Sequence, residues 1–317
     1  MNYENSTMAL PHSSISQSPH QPAYVYLLPL AAVLIWSVNV IVTKLAVGAI
    51  SALSISFYRW VLAFVLLSPF VLPKVWRQRQ LIWPYLPKLA VLGLLGMLMY
   101  QGLSYEAAHT TSATNIGILN AMIPLFTIGI AAVLLNEKPT LFAITGGIIS
   151  LTGITVLIAK GDLLDIIGGH VSSFHLGDLL MVVAVFCYAA YGVLTRLWQL
   201  PLDLLTNIYL QIGFGMLFHI PFVLHDGFSP INADNIWLVL YAGTLPSLVA
   251  PLVWVKSIQL IGPSRTSIFI NLTPLLTAAI AVFYLNENWL GYHTLGAIMI
   301  LGGVVMAQIG TARNTLR

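Results

Sequence analysis

Long apolar runs, separated by short polar connections, constrain the fold of this chain more than any other feature. A helix crosses the roughly 30 Å hydrocarbon core of a bilayer with about 20 apolar residues, and runs of that length recur between residues 24 and 309. Charged residues make up 7% of the chain and hydrophobic residues 58%, at a mean hydropathy of +0.88. A soluble domain carries about 25% charge. The sequence therefore predicts an all-α polytopic membrane protein.

Ten of these runs have the length of a membrane span. Breaking the chain at proline, glycine and charge clusters predicts five spans in each half, joined by short loops that suit a helical bundle. The predicted spans are 24–45, 52–72, 86–105, 111–135, 140–159, 176–197, 203–224, 235–256, 264–285 and 289–309. They form two five-helix units, residues 23–160 and 175–311. The polar, Ser/Pro-rich residues 1–22 are predicted to be a disordered cytoplasmic tail.

Lysine and arginine residues predict how the spans are oriented. Basic residues concentrate in cytoplasmic loops, and with the N-terminus inside, ten of them fall on the inner side or at inner helix ends, against about two outside. The outer two are Lys44 and Lys160, while Arg59 lies within a span. Both termini are therefore expected to be cytoplasmic. The inner ten are Lys74, Arg77, Arg79, Lys88, Lys138, Arg196, Lys256, Arg265, Arg313 and Arg317.

The second half of the chain repeats the first. A shift of 150 positions superimposes Leu-Asn-Glu at 135–137 on Leu-Asn-Glu at 285–287, and gives 13 identities in the 36 positions 118–153 without a gap. Apolar bias alone does not produce shared Pro, Asn, Glu and Gly residues. A shift of 152 extends the match upstream and places Lys44 over Arg196. The chain is therefore interpreted as one five-helix unit used twice.

The odd number of spans in each unit determines how the two units are related. A unit with five crossings enters its second copy from the opposite face of the membrane, so the units are predicted to be inverted about an axis in the membrane plane. Inverted repeats are typical of secondary transporters, which bind solute near the midplane between the repeats. The pattern therefore predicts transport by alternating access.

Five motifs recur in a known family of membrane proteins. They are Trp36-x-x-Asn39 with Lys44 downstream, FYRW around Arg59, SYEAAHTTSATNIGILNAMIPLF with Pro124, Glu137 with the glycine-rich span behind it, and IQLIGPSRTSIFINLTPLL with Glu287. Together they resemble the drug/metabolite transporter superfamily, in its ten-helix EamA-type branch, over about residues 24–310. One departure is Ser37, where the family commonly has glycine.

The resemblance implies a function. It implies export of small metabolites, amino acids or toxic organic compounds across the inner (cytoplasmic) membrane of a bacterium. The expected partners are a small-molecule substrate and the lipid bilayer.

Polar and aromatic residues within the spans are the candidates for substrate contact, because a polar group in lipid is costly unless it faces the bundle interior. Arg59 either binds an anionic group of the substrate or is held by backbone carbonyls of a neighbouring helix. Asn39, one turn from Trp36, either contacts substrate or bonds to another helix. The predicted substrate-binding residues are Trp36, Asn39, Arg59, Tyr100, Gln101, Asn115, Asn120, Tyr191, Trp254 and Asn271.

Four residues are predicted to have structural or gating roles. Glu137 and Glu287 follow the fourth and ninth spans at the membrane edge. They are expected to accept hydrogen bonds from the first N–H groups of the next helix, with a gate contact as the alternative. Pro124 and Pro274 each remove a backbone hydrogen bond and are expected to bend these spans.

Glycines predict close packing of the fifth and tenth spans. Gly146 and Gly153 lie two turns apart on one helix face, as do Gly296 and Gly303. Small residues at this spacing let helices approach closely. The partner is expected to be the bundle or a second protomer, so the protein is expected to be a monomer or a homodimer.

Other functional classes lack their sequence signatures. An intramembrane enzyme and a channel-like pore are the alternatives to a carrier. No H-E-x-x-H, Gly-x-Ser-x-Gly or Walker sequence indicates hydrolytic or ATP chemistry, and no charged ring or filter-like repeat indicates a channel. The histidines are scattered, and no basic stripe with aromatics indicates nucleic acid. No metal site and no cofactor are predicted.

Overall fold

The computed structural model describes residues 23–136, 139–160, 175–261, 266 and 269–315, and the predicted tail, residues 1–22, lies outside them. All regular secondary structure in the described residues is helical. The helices are α1 (Leu27–Leu45), α2 (Ala52–Arg77), α3 (Arg79–Ala107), α4 (Ala113–Leu134), α5 (Leu141–Ile158), α6 (Leu176–Trp198), α7 (Leu204–Asp226), α8 (Ile236–Ile261), α9 (Thr273–Leu285) and α10 (Gly291–Thr315).

Seven of these helices, α1–α4 and α6–α8, are long and apolar enough to cross a membrane, and α5, α9 and α10 carry shorter apolar stretches. The chain is therefore a multi-pass membrane protein. Among the described residues, α9 starts at Thr273, nine residues later than the predicted span 264–285. A second departure from the predicted spans lies between α2 and α3. There α2 continues past residue 72 to Arg77 and α3 starts at Arg79, because the helical hydrogen-bond pattern continues through the polar residues that end the apolar run.

Polar side chains begin several helices. Ser51, Ser112, Thr140 and Asp203 each precede a helix and accept a hydrogen bond from the backbone N–H three residues on, which satisfies a group that has no partner within the helix. Asp203 also pairs with Lys74 at 2.8 Å, joining the start of α7 to the end of α2. Burial alone would raise the pKa of Asp203, but its bonds to Lys74 and to the capped helix outweigh burial and hold that pKa below its usual value.

Equivalent helices of the two halves break at equivalent places. In α4 the helix stops at residues 121–122 and resumes with Pro124 in its first turn. A 3-10 turn, Phe269–Leu272, leads into α9, which again has a proline, Pro274, in its first turn. Proline is tolerated there because its missing N–H would have no helical partner. Each proline therefore begins a helical segment, instead of bending a continuous helix as expected.

A second pair of irregularities lies in α3 and α8. Both helices widen into a π-helical turn, Leu94–Met99 in α3 and Leu245–Val249 in α8. Single π-helical turns are rare and occur frequently at functional sites. These two segments are called the π-turns below.

Helices α5 and α10 pack against each other through glycines. A Cβ atom on Gly146 would overlap the backbone oxygen of Gly303, and one on Gly153 would lie 3.0 Å from the backbone oxygen of Gly296. The two backbones are thus in direct contact over two turns of helix. Of the two partners that the sequence allowed, the structure shows a helix of the same chain.

The contact between α5 and α10 is self-complementary. Ser150 and Ile300, which the 150-residue shift superimposes, meet at the middle of the pair, where the serine hydroxyl donates to the isoleucine backbone oxygen at 3.0 Å. On either side the first glycine of one helix meets the second glycine of the other. Equivalent residues thus meet at the crossing, and the glycine contacts on its two sides are exchanged between the helices. This arrangement defines a local two-fold axis perpendicular to the antiparallel helix pair.

Gly303→Ala is expected to destabilise the protein by about 1–3 kcal/mol, because overpacking a close contact has that cost and the new methyl group has no free space. Gly302→Ala is the matched control, since a Cβ atom there meets nothing within 4 Å. Thermal unfolding of the two purified variants checks this expectation. Equal melting temperatures would show that α5 and α10 do not depend on this contact.

Candidate functional site

A cavity of about 410 Å³ lies at the centre of the bundle. Its volume falls in the range of small-molecule sites, roughly 300–1,000 Å³. Among the described residues, α1–α4 and the α6–α9 region line it, while α5 and α10 contribute no side chain. The predicted residues on its wall are Trp36, Asn39, Arg59, Tyr100, Gln101, Asn120, Pro124, Tyr191, Trp254, Asn271 and Pro274.

Arg59 of α2 is the cationic group of the cavity wall and is 1% exposed. Its Nε and Nη2 atoms donate to Ser247 Oγ at 3.2 and 2.8 Å. Its Nη1 atom donates to Gln101 Oε1 at 2.8 Å and to the Tyr105 hydroxyl at 3.3 Å. The ring of Trp60 lies 5.0 Å from the guanidinium carbon. All these partners are neutral side chains, not the backbone carbonyls that were the structural alternative, so the buried charge is solvated but is not neutralised by any acidic group of the described residues.

Aromatic rings supply much of the apolar wall. The rings of Trp36 and Trp254 lie with centroids 5.4 Å apart. A second group, Tyr100, Tyr188 and Tyr191, forms a row with successive centroid distances of 4.5 and 5.5 Å. Rings at such distances are in favourable contact and bury a large apolar area. The cavity therefore suits an organic solute with an apolar portion.

The π-turns contribute backbone oxygens beside the cavity. The Trp60 indole N–H donates to the backbone oxygen of Met97 at 2.9 Å, and the Trp36 indole N–H lies 3.4 Å from that of Pro246. Ser247, the residue that holds Arg59, belongs to the same π-turn of α8. The two π-turns thus tie α3 and α8 to side chains of α1 and α2.

Two buried polar oxygens of the wall have no hydrogen-bond partner among the described residues. They are Asn39 Oδ1 on α1 and Thr273 Oγ1 at the start of α9. Leaving a buried polar group unpaired costs about 1–3 kcal/mol, which a ligand with donor groups would offset. Asn120, in contrast, accepts a hydrogen bond from the Tyr100 hydroxyl at 3.1 Å. The wall therefore presents one cation together with unpaired acceptors.

A polar layer joins the helices at the end of the bundle where α1 finishes, called here the Lys44 end. The Lys44 Nζ atom donates to the backbone oxygens of Ala108 and Thr111 at 2.6 and 2.7 Å. The Glu287 carboxylate accepts from the backbone N–H groups of Ala113 at 2.8 Å and Thr114 at 3.0 Å. Both contacts satisfy backbone groups at helix ends, where a helix leaves N–H and C=O groups unpaired.

The partner of Glu287 corrects the expectation from sequence. Glu287 was expected to bond to the start of the next helix, α10, but it caps α4 of the other half instead. Asn286 stands in the left-handed region with φ 54°, and so does its equivalent, Asn136. Asparagine tolerates that conformation better than most residues, and the reversal directs the following carboxylate away from α10. Glu137 lies outside the described residues.

Asn115 lies away from the cavity wall, although it was predicted to contact substrate. Its side-chain nitrogen donates to Asp178 Oδ1 of α6 at 3.1 Å, inside the Lys44 end. It is the one member of the predicted substrate-binding set that does not line the cavity.

Ser247, Tyr188 and Trp60 line the cavity, but the sequence did not single them out. The 152-residue shift superimposes Tyr188 on Trp36, and that equivalence is a signal by which it could have been found. Ser247 had no such signal, because its contact with Arg59 depends on the π-turn, which no sequence pattern indicated.

The helical bundle, its internal two-fold contact and its central cavity define a multi-pass membrane protein of the transporter class. The sequence matches the EamA-like transporter family twice, over residues 23–159 and 175–308. The chain belongs to this family, as the five motifs implied.

Several relatives are themselves described as transporters. An "Uncharacterized transporter" of Archaeoglobus fulgidus is 29% identical over 287 residues, covering 89% of this chain and 96% of the relative. YcxC of Bacillus subtilis, also described as an uncharacterized transporter, is 30% identical and covers 65% and 68%. A "Probable terminal-alkyne amino-acid exporter" of Streptantibioticus cattleyicolor is 24% identical and covers 70% and 72%.

A solved crystal structure of another protein shares the fold. The TM-score is 0.57 at 18% sequence identity, over 91% of this chain and 98% of the other. At this identity the likeness concerns the fold alone.

Glu287→Ala is expected to destabilise the protein by about 0.5–2 kcal/mol, the usual cost of losing a helix N-terminal cap. Glu106→Ala is the matched control, because Glu106 is an exposed carboxylate at the end of α3. Thermal unfolding in detergent measures both effects. A Glu287→Ala protein that melts like the control variant would show that α4 does not need this cap.

Proposed function

We propose that this protein is a secondary transporter that exports small metabolites across the cytoplasmic membrane of a bacterium by alternating access. In this proposal all ten helices cross the membrane, both termini are cytoplasmic, and residues 23–160 and 175–311 form two inverted units. The observation that carries the proposal is the composition of the cavity wall. Its helices form four equivalent pairs, one member from each half, and the fifth pair is excluded from it.

The contact between α5 and α10 supports the inverted relation of the units. Its local two-fold axis is perpendicular to the helices, and such an axis lies in the membrane plane when the helices cross the membrane. Two halves related in this way have two mirror-like arrangements around the same cavity. The two ends of the bundle are then alternative gates. One is the Lys44 end, held by Glu287, and the other contains the ion pair of Lys74 with Asp203.

The chemistry of the wall favours a zwitterionic solute with an apolar body. The uncompensated guanidinium of Arg59 is suited to a carboxylate, which it can bind through charge-assisted hydrogen bonds. The unpaired Oδ1 of Asn39 is suited to an ammonium group, and the tryptophan pair to an apolar side chain. An amino acid combines these three groups. The relative named as an amino-acid exporter supports the same class of substrate.

Solute exchange in proteoliposomes tests the transport proposal. A screen of labelled amino acids and organic cations is expected to find at least one that is taken up in exchange for unlabelled solute, with saturation. Saturable exchange is the property that separates a carrier from a pore and from an enzyme. Uptake that does not saturate, or a chemically altered solute, would contradict the proposal.

Arg59→Gln is expected to raise the KM for an exchanged amino acid by roughly tenfold or more, because a hydrogen bond to a charged group contributes about 1.5–3 kcal/mol. Arg79→Gln is the matched control, since Arg79 lies at the exposed start of α3 and bonds only to the backbone oxygen of Trp76 among the described contacts. In wild type, the methyl ester of the same amino acid is expected to compete for exchange more weakly than the free amino acid. In the variant, the ester and the free amino acid are expected to compete equally well. A folded Arg59→Gln protein with unchanged KM would assign Arg59 a structural role.

A further inference from the structure

Asp178 and Asn115 form a polar pair buried inside the Lys44 end, apart from the cavity wall. Asp178 stands in the first turn of α6 and is 1% exposed, and Asn115, near the start of α4, is 5% exposed. The Asn115 Nδ2 atom donates to Asp178 Oδ1 at 3.1 Å. The hydroxyl of Thr111 donates to the same carboxyl oxygen. The pair thus joins the start of α4 to the start of α6, and Thr111 adds a bond from the turn between α3 and α4.

Each member of the pair retains one oxygen that has no hydrogen-bond partner among the described residues. These atoms, Asp178 Oδ2 and Asn115 Oδ1, are both buried. A carboxyl and an amide that face each other can form two hydrogen bonds, one N–H to oxygen and one O–H to oxygen. The second bond requires a hydrogen on the carboxyl group. Turning the amide over does not change this requirement, because the amide has one donating and one accepting edge in either orientation.

No ion pair of the described residues involves Asp178, and the ammonium of Lys44 is bonded to backbone oxygens. The buried imidazole of His293 on α10 lies near both Asp178 and Glu287. The other titratable groups near the pair are Tyr292 of α10, His175 directly before α6, the exposed Glu106 of α3 and the exposed His109 in the turn after α3.

We propose that Asp178 and Asn115 form a proton-binding site, in which the Asp178 carboxyl group carries a hydrogen on Oδ2 and donates it to Asn115 Oδ1. One proton then satisfies both unpartnered oxygens and removes a buried negative charge. On deprotonation the proton passes to water as hydronium, and the carboxylate that remains requires solvent. Release of the proton is therefore linked to opening of the Lys44 end.

The consequence for transport rests on the proposed function, whereas the proton site itself does not. In the proposed topology the Lys44 end faces the outside of the cell. Acid on that side favours the protonated pair, which holds α4 to α6, and so favours the closed state of that end. The same segment of α4 carries Asn120 on the cavity wall, which connects the proton site to the solute site.

Infrared spectroscopy of the purified full-length protein tests the site directly. At about pH 7, wild type is expected to show the carbonyl band of a protonated carboxyl group, which an unperturbed aspartate with a pKa of about 3.9 does not show. Asp178→Asn replaces the acid by an amide that makes the same two bonds, so the band is expected to disappear while the fold is retained. Asp226→Asn, an exposed acid at the end of α7, is the matched control and is expected to keep the band.

Thermal unfolding provides a second readout with a defined sign. A folded state that holds a proton which the unfolded chain releases loses stability as the pH rises. The melting temperature of wild type is therefore expected to fall by several degrees between about pH 6 and about pH 9. Asp226→Asn is expected to show the same slope. Asp178→Asn is expected to lack that slope and to melt above wild type at the alkaline end.

Several outcomes would overturn the proposal. Wild type without a protonated carboxyl band would do so even if Asp178→Asn failed to fold. A pH slope that Asp178→Asn shares with wild type would assign the titration to another group. A melting temperature raised by sodium ions, in wild type but not in Asp178→Asn, would assign the two oxygens to a metal cation.

The link to opening has a separate measurement. External acid is expected to slow solute exchange by wild type several-fold and to leave exchange by Asp178→Asn unchanged. Equal slowing of both proteins would overturn the link while the infrared band still establishes the proton site. Absence of exchange by wild type for every solute would refute the transporter proposal and leave the infrared result standing.

Discussion

A polar group inside a lipid-embedded bundle has no water to bond to, so it must find its partner within the chain. This constraint explains why the guanidinium of Arg59 is bonded to side chains of α3 and α8, and why the indoles of Trp36 and Trp60 point to the π-turns. It also identifies the exceptions. Among the described residues, Asn39 Oδ1 and Asp178 Oδ2 are two of seven buried side-chain oxygens that lack a partner, and the proposed solute and proton sites are built on these two. The same requirement therefore stabilises the bundle and marks its candidate sites.

The glycine contact between α5 and α10 shapes the rest of the architecture. Because their backbones touch, α5 and α10 form a compact pair beside the bundle. The other four equivalent helix pairs line the cavity. The crossing of Ser150 with Ile300 places equivalent residues on a common axis. Equivalent turns also have the same backbone conformation, since Asn136 and Asn286 both have a φ of 54°. In a carrier with such an axis, the two halves would reach the second open state by exchanging their conformations.

Much of the cavity wall could be predicted from sequence, for a physical reason. A polar or aromatic residue within an apolar run has to face the interior, and Trp36, Arg59 and Trp254 line the cavity accordingly. The same reasoning could not separate the cavity from other interior positions. Asn115 is polar and only 5% exposed, yet it bonds to Asp178 at one end of the bundle. The difference depends on how far along its helix a residue lies. The cavity is at the level of the break in α4, and Asn115 lies nearer the start of that helix.

The sequence by itself determined the membrane class and the internal repeat of the chain. These properties depend on composition and on spacing over a few turns, which any stretch of chain carries locally. Only the tertiary structure decided that Glu287 caps α4, across 174 residues of sequence, and that Ser247 holds Arg59. Such contacts depend on the rotation of each helix about its axis and on backbone irregularities such as the π-turns. Neither is encoded in a periodic pattern, because both result from the packing of all the helices together.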